Sequence, residues 1–238
     1  MANRVLAILR ALYRWALIED QKRFGVTVDA TAGLKRPHVE DAAPRVYTPD
    51  ELRALFASAH QITGLREALP FLAFTMARLG EALGARWPEI DFAEKVWTVP
   101  AARSKDGRPH IVPLSARCVE LLQDVRDSRR IVSIGSADDI FPGAGAAVSS
   151  EVRERWRALS GVADAAFHPF RDTAAAELRE LGYSSDVRED LLSHTPPKLH
   201  RAYQGEYRTS LAERRRAIEA WGERLTEILA AKPLEQQA

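Results

Sequence analysis

Residues 167–207 read FHPFRDTAAAELRELGYSSDVREDLLSHTPPKLHRAYQGEY, and the reading of the whole chain turns on this stretch. It sets His168 and Arg171 at an i, i+3 spacing, His194 just before Pro196-Pro197, and Tyr203 and Tyr207 on what reads as one helix. A histidine and an arginine spaced this way near a helix start form an anion site, because the free N–H groups and the helix dipole point the same way. A second histidine and a phenol downstream supply proton transfer and a nucleophile. The chemistry suggested is phosphoryl transfer through a covalent tyrosyl intermediate. Around these residues the spacing predicts a helix over Asp172–Leu181, closed by Gly182 at its C′ position. A second helix is predicted from Ser185 to His194, stopped by the two prolines.

Further out, Ser210 with Glu213 forms a capping box. It opens a long helix with Leu211, Ile218, Trp221, Leu225, Ile228 and Leu229 on one stripe. On the upstream side, Ser150–Ser160 reads as a short amphipathic helix with Val152, Trp156 and Leu159 inward. Gly135–Ala147 reads as loop, and Ala116–Arg130 as a helix with Val119, Leu122 and Val125 on one face. From Glu89 to Ser115 the period changes: IDF, VWTVP and HIVPL are short β-branched or aromatic segments. Asp106-Gly107 between the last two is a hairpin turn signal, with Lys105 beside its tip.

Leu65–Trp87 is a strongly apolar helical region carrying Arg78 and Glu81. An arginine in that setting is paired or used, and Glu81 one turn on is its partner. Thr48-Pro49-Asp50-Glu51 opens a helix with a capping box and a proline at the first position. Before it, LKRPHVEDAAPR (34–45) has two prolines and no period and reads as a linker. Residues 3–18 place Val5, Leu6, Leu9, Leu12, Tyr13, Ala16 and Leu17 at helical spacing among Arg4, Arg10 and Arg14.

Composition bounds these readings. The chain has 238 residues, 46% hydrophobic and 28% charged, as in an ordinary globular protein. Its 34 basic and 33 acidic residues leave a net charge of +1, so any affinity for nucleic acid rests on local placement of charge. The single cysteine, Cys118, excludes an intramolecular disulfide and fits a reducing cytoplasm. The longest apolar run ends at Arg78 and falls well short of the roughly 20 residues of a membrane span. No Cys/His ligand spacing, P-loop or acidic metal cluster is present, so neither metal nor cofactor is expected.

RLGE (78–81), the hairpin Lys105, HPFR (168–171), and LSH (192–194) followed by Tyr203 occur in the order and spacing of the tyrosine recombinases. The chain resembles that family over most of residues 45–231, and within it the phage-type integrases of prophages and genomic islands. The resemblance implies an α+β, mainly helical fold: a tyrosine-recombinase catalytic domain over 47–238 with a small antiparallel sheet. It further implies a 35–46 linker and, in 1–34, the last part of a helical (SAM-like) core-binding domain that family members of this type carry complete. It implies site-specific cleavage and rejoining of DNA without metal. Arg78, Lys105, His168, Arg171 and His194 are then catalytic, Glu81 supports Arg78, and Tyr203 is the nucleophile. From the residues alone Tyr207 rivals Tyr203, and each histidine taken singly could be a core residue.

The chain departs from the family in TMAR before the first motif, in Asp172 where arginine is commoner, and in Ser193 where glycine is usual. The implied partners are double-stranded DNA attachment sites, further copies of the chain in a tetramer on DNA with the monomer as a solution form, and accessory DNA-bending or directionality factors. The implied location is the cytoplasm, on the nucleoid. Three other readings compete: a recombinase-derived DNA-binding protein without activity, a type IB topoisomerase, and a helical scaffold.

Overall fold

The computed structural model describes residues 2–19, 21–35, 44–105, 107–129, 138–145, 148–194 and 207–231. The chain divides into two compact units, Met1–Ala43 and Pro44–Ala238.

The first unit holds α1 (Ala2–Glu19) and the short α2 (Gln21–Phe24). The Trp15 and Phe24 rings meet at 5.1 Å. Arg10 donates to the Leu34 carbonyl. The Asp29 carboxylate ties off the turn after α2 by accepting from the Thr31 N–H at 2.8 Å. Several apolar side chains of α1, among them Ile8, Leu12 and Ile18, are exposed.

In the second unit, α3 (Pro49–Ala59) starts as its sequence dictates. The Thr48 hydroxyl accepts from the Glu51 N–H, the Glu51 carboxylate accepts from the Thr48 N–H, and Pro49 stands at the first helical position. The apolar region that follows is not one helix. It forms α4 (Ala68–Thr75) and α5 (Leu79–Leu83), broken at Met76, whose φ of 53° is left-handed. That conformation costs a non-glycine residue roughly 1–2 kcal/mol. It is held because the Met76 carbonyl accepts from the buried Arg171 guanidinium. A continuous helix would consume that carbonyl internally.

A 3₁₀ turn (Trp87–Glu89) leads into β1 (Ile90–Asp91), β2 (Val96–Val99) and β3 (His110–Pro113), an antiparallel sheet in the order β1-β2-β3. Val99 faces His110, so residues 100–109 form a long connection and Asp106-Gly107 does not close a two-residue hairpin. Asp106 itself lies outside the described residues. The connection is organised by the Pro100 carbonyl, which accepts from the N–H groups of Arg103 (2.9 Å) and Ser104 (3.1 Å), and by Gly107 at φ 65°.

The remaining helices are α6 (Ala116–Arg129), α7 (Ser150–Ser160), α8 (Pro169–Glu180), α9 (Ser185–Leu191) and α10 (Leu211–Ala230). Their differences from expectation are local. Leu159 on α7 is exposed, whereas Trp156 is fully buried and donates to the Leu55 carbonyl at 3.1 Å. Helix α8 begins at Pro169, three residues early, because proline suits the first turn where no N–H partner exists. Helix α9 stops at Leu191, short of His194, and Pro196-Pro197 lie outside the described residues. Tyr207 precedes α10 and belongs to no helix.

Helix α10 is the hub of the unit. It packs on α3, α4, α6, α8, α9 and β3, burying Ile218, Trp221, Leu225 and Ile228 within its own domain. Trp221 donates to the Ala73 carbonyl at 2.8 Å. Gly222 permits the close approach to α6: a Cβ there would lie 2.7 Å from the Ser115 Oγ.

Candidate active site

The site is built on the C-terminal end of α9. A helix end leaves carbonyls without partners and carries a negative partial charge. Here the chain turns through Ser193 at φ 53°. The Ser193 N–H returns to the Asp190 carbonyl (3.1 Å) and the His194 N–H to the Glu189 carbonyl (2.9 Å), a Schellman closure in which serine takes the position glycine favours. The next three carbonyls then face outward, and each accepts from a different guanidinium. Arg171 Nη2 reaches the Leu192 oxygen at 2.7 Å, Arg78 Nη2 the Ser193 oxygen at 3.0 Å, and Arg208 Nη1 the His194 oxygen at 3.1 Å.

Arg78 and Arg171, far apart in sequence, are thus brought side by side. Arg171 projects from the first turn of α8 and is only 3% exposed. Burial, reinforced by the neighbouring Arg78 charge, draws its guanidinium down to about 10, so it stays protonated at neutral pH. Arg78 sits at the N-cap of α5, where Glu81 holds it twice. The buried carboxylate accepts from the Arg78 N–H at 3.1 Å and pairs with Nη1 at 3.1 Å. This is the pairing the sequence predicts.

His194 presents a half-exposed ring whose Nδ1 is 2.7 Å from the Glu189 carboxylate. Lys105 is exposed on the β2–β3 connection. The root of that connection is tied to the arginine cluster through Arg103, which donates to the Glu81 carbonyl at 3.1 Å and pairs with Glu89. Glu89 also accepts from the Trp97 indole at 3.0 Å. His168 stands at the N-cap of α8. Its side chain is 77% exposed and its Nε2 faces Asp172 at 3.9 Å. Tyr203 lies outside the described residues.

Two residues at the site, Asp190 and His110, carry no motif signal, and a third, Tyr207, is placed differently from its sequence reading. Asp190 is buried; its carboxylate accepts from the Thr209 N–H (2.7 Å), the Thr209 hydroxyl (2.8 Å) and Arg208 Nη1 (3.2 Å). It thereby fastens α9 to the lead-in of α10. His110, the first residue of β3, is 3% exposed among Arg171, Arg214 and Arg78. Burial, aided by those charges, pushes its imidazole down to about 3, so it is neutral. Tyr207 is already engaged: its hydroxyl accepts from the Ile111 N–H at 2.7 Å, and the Arg214 guanidinium covers its ring at 3.6 Å. Arg214 also donates to the Ile111 carbonyl at 3.0 Å. A small polar cavity of about 10 Å³, lined in part by Ser104, Ser193, His194 and Tyr207, separates the β2–β3 connection from the end of α9. It has room for about one water molecule.

A mainly helical domain with a small three-stranded antiparallel sheet is the catalytic fold of the integrase-type tyrosine recombinases. Lambda integrase, solved as a dimer bound to a COC′ core site, superposes with a TM-score of 0.60 at 21% identity, over 83% of this chain and 72% of its own. The integrase of mycobacterium phage Brujita gives a TM-score of 0.57 at 18% identity, over 96% of this chain and 76% of its own. The chain belongs to the Phage integrase family, whose match covers residues 45–208. Prophage integrase IntZ of Escherichia coli (strain K12) is 31% identical over 99% of this chain and 58% of its own length. The integrase of Enterobacteria phage P4 is 28% identical over 94% of this chain and 55% of its own. The chain therefore spans about half the length of the curated relatives it matches.

Proposed function

We propose that this chain is a site-specific DNA recombinase that cleaves and rejoins strands through a 3′-phosphotyrosyl intermediate. The observation that carries the proposal is the convergence of Arg78 and Arg171 on adjacent carbonyls beside His194, within a chain of the phage integrase family. A tyrosine phenol is about one part in a thousand ionised at pH 7, roughly 4 kcal/mol from its reactive form. Two guanidinium groups on the non-bridging oxygens offset this, since each preorganised donor is worth on the order of 3 kcal/mol as charge develops. Guanidinium suits the task because it grips phosphate oxygens in pairs and keeps its charge.

In this reading the Tyr203 oxygen attacks phosphorus, a phosphotyrosyl bond forms and the bond to the 5′-oxygen breaks. His168 accepts the phenol proton, Lys105 protonates the departing 5′-oxygen, and His194 donates to a phosphate oxygen. Tyr203 is preferred to Tyr207 because the Tyr207 hydroxyl is committed to β3. Residues 1–34 are read as helical core-binding sequence, 35–46 as linker and 47–238 as the catalytic domain. The partners proposed are double-stranded attachment sites and further copies of the chain on DNA, which places its work on the bacterial nucleoid.

The test uses a pool of nicked duplexes with a randomised central sequence, in which a cleaved strand diffuses away and traps the covalent adduct. Wild-type protein captures a subset of duplexes, Tyr203→Phe captures none and Tyr207→Phe still does. No adduct from the wild type overturns the reading; loss with Tyr207→Phe and not with Tyr203→Phe overturns the choice of nucleophile.

A further inference from the structure

We propose that Glu189 is the positioning residue of His194, a role that rests on the recombinase reading for its catalytic consequence but not for its geometry. One residue grips the histidine at two points. The Glu189 carbonyl accepts from the His194 N–H at 2.9 Å, and its carboxylate lies 2.7 Å from the ring Nδ1. The first contact belongs to the Schellman closure and exists only because Ser193 adopts φ 53°. It carries the chain back over the last turn of α9 and lays the imidazole against the Glu189 side chain.

An ionised carboxylate can only accept, so the proton between them belongs to Nδ1. That fixes the tautomer and leaves Nε2 as the nitrogen available to a bound phosphate. The His194 carbonyl, held by Arg208, and the Ser193 carbonyl, held by Arg78, pin the main chain on either side of the ring's attachment. The ring is therefore constrained in position by backbone and in rotation by Glu189.

Stability does not account for the pair. The two side chains are 42% and 47% exposed, and an ion pair at such a surface contributes little. Glu189 also places a negative charge beside a site that is to receive a phosphate, a cost to binding that orientation of His194 offsets in the reaction.

Three variants of the full chain separate the possibilities. Glu189→Gln keeps an acceptor at the same reach, Glu189→Asp shortens it, and Glu189→Ala removes it. In the free protein, ¹⁵N-resolved imidazole spectra of His194 are expected to show a protonated, hydrogen-bonded Nδ1 in wild type and Glu189→Gln, and its loss in Glu189→Ala. On a nicked duplex selected by the wild type, Glu189→Ala is expected to slow adduct formation by about tenfold to a hundredfold, as loss of a histidine's supporting partner commonly does. Half-saturation by DNA stays within about twofold, since no phosphate contact is removed. Glu189→Gln recovers most of the rate and Glu189→Asp less.

Thermal melting midpoints unchanged to within a few degrees confirm that the loss is not unfolding. An unprotonated Nδ1 in the wild type, or a His194 spectrum indifferent to Glu189→Ala, overturns the inference. So does a Glu189→Ala adduct rate equal to that of wild type. Should the wild type form no adduct on any duplex, the recombinase reading falls, and the imidazole spectra still decide the role of Glu189.

Discussion

Replacing Asp190 by alanine should damage the second unit far more than the same change at Asp186, the other carboxylate that meets Arg208. The carboxylate is buried and accepts three hydrogen bonds, from the Thr209 N–H, the Thr209 hydroxyl and Arg208. Bonds to a charged acceptor are worth about 1.5–3 kcal/mol each, and a buried cation stripped of its partner costs about 3–5 kcal/mol. Arg208 retains the His194 carbonyl and a 3.8 Å approach to Asp186, which puts the expected loss near the lower end, about 3 kcal/mol. Asp186 touches the same arginine but is 62% exposed, so Asp186→Ala should cost less than about 1 kcal/mol. Urea unfolding followed by tryptophan fluorescence reports on this unit, where Trp97, Trp156 and Trp221 are fully buried. With a denaturant slope of about 2–3 kcal/mol/M, the midpoint should fall by about 1 M or more for Asp190→Ala and under about 0.5 M for Asp186→Ala. Equal shifts for the two variants would refute the assignment of Asp190 as the buried tie between α9 and α10.

Three further outcomes are expected. Gly222→Ala should destabilise by about 1–3 kcal/mol, since the new Cβ meets the Ser115 side chain at under 3 Å; combining it with Ser115→Gly should restore part of that loss in the same urea assay. His110 is held neutral to about pH 3 in the folded protein while the unfolded chain protonates near 6.5, so its contribution is fully present above pH 6.5 and is lost as pH falls below it. Stability should decline by about 1.4 kcal/mol per pH unit between pH 6 and 4 on this account, and His110→Gln should flatten the decline. Ser193→Gly should be neutral or stabilising by up to about 1 kcal/mol, because glycine accepts φ 53° without strain. Ser193→Val should be clearly destabilising at the same position, and melting curves of the two variants compare them directly.

Much of this architecture is legible in the residues because the signals are local. Thr48 with Glu51 and Ser210 with Glu213 specify helix starts within four residues, and both form as read. The Arg78–Glu81 pair is likewise a one-turn contact. What escapes the sequence is set by partners distant in the chain. The break at Met76 answers to Arg171, and an apolar run gives no hint of it. The end of α9 is decided by a Schellman turn at a serine, which no composition rule favours over continuation to the prolines. His110 reads as an ordinary strand residue, Asp190 as one acidic residue in a charged helix, and Glu189 as its equally unremarked neighbour. Each acquires its role only when β3, α9 and the start of α10 meet. The β2–β3 connection looks like a tight hairpin in sequence because Asp-Gly is a strong turn signal; the register Val99 to His110 shows a longer connection than two residues.

The row of main-chain oxygens from Leu192 to His194 has a consequence for how this molecule can change. The anchors of Arg171 and Arg78 are main-chain oxygens, so they carry no side-chain identity of their own and persist with any residue at 193 that accepts φ 53°. Shifting the chain by a single inserted or deleted residue there would hand each cation to the wrong oxygen at once. Drift in side chain at this corner is limited by the left-handed turn at 193 and the buried side chain at 192, and drift in length by the register of the three oxygens.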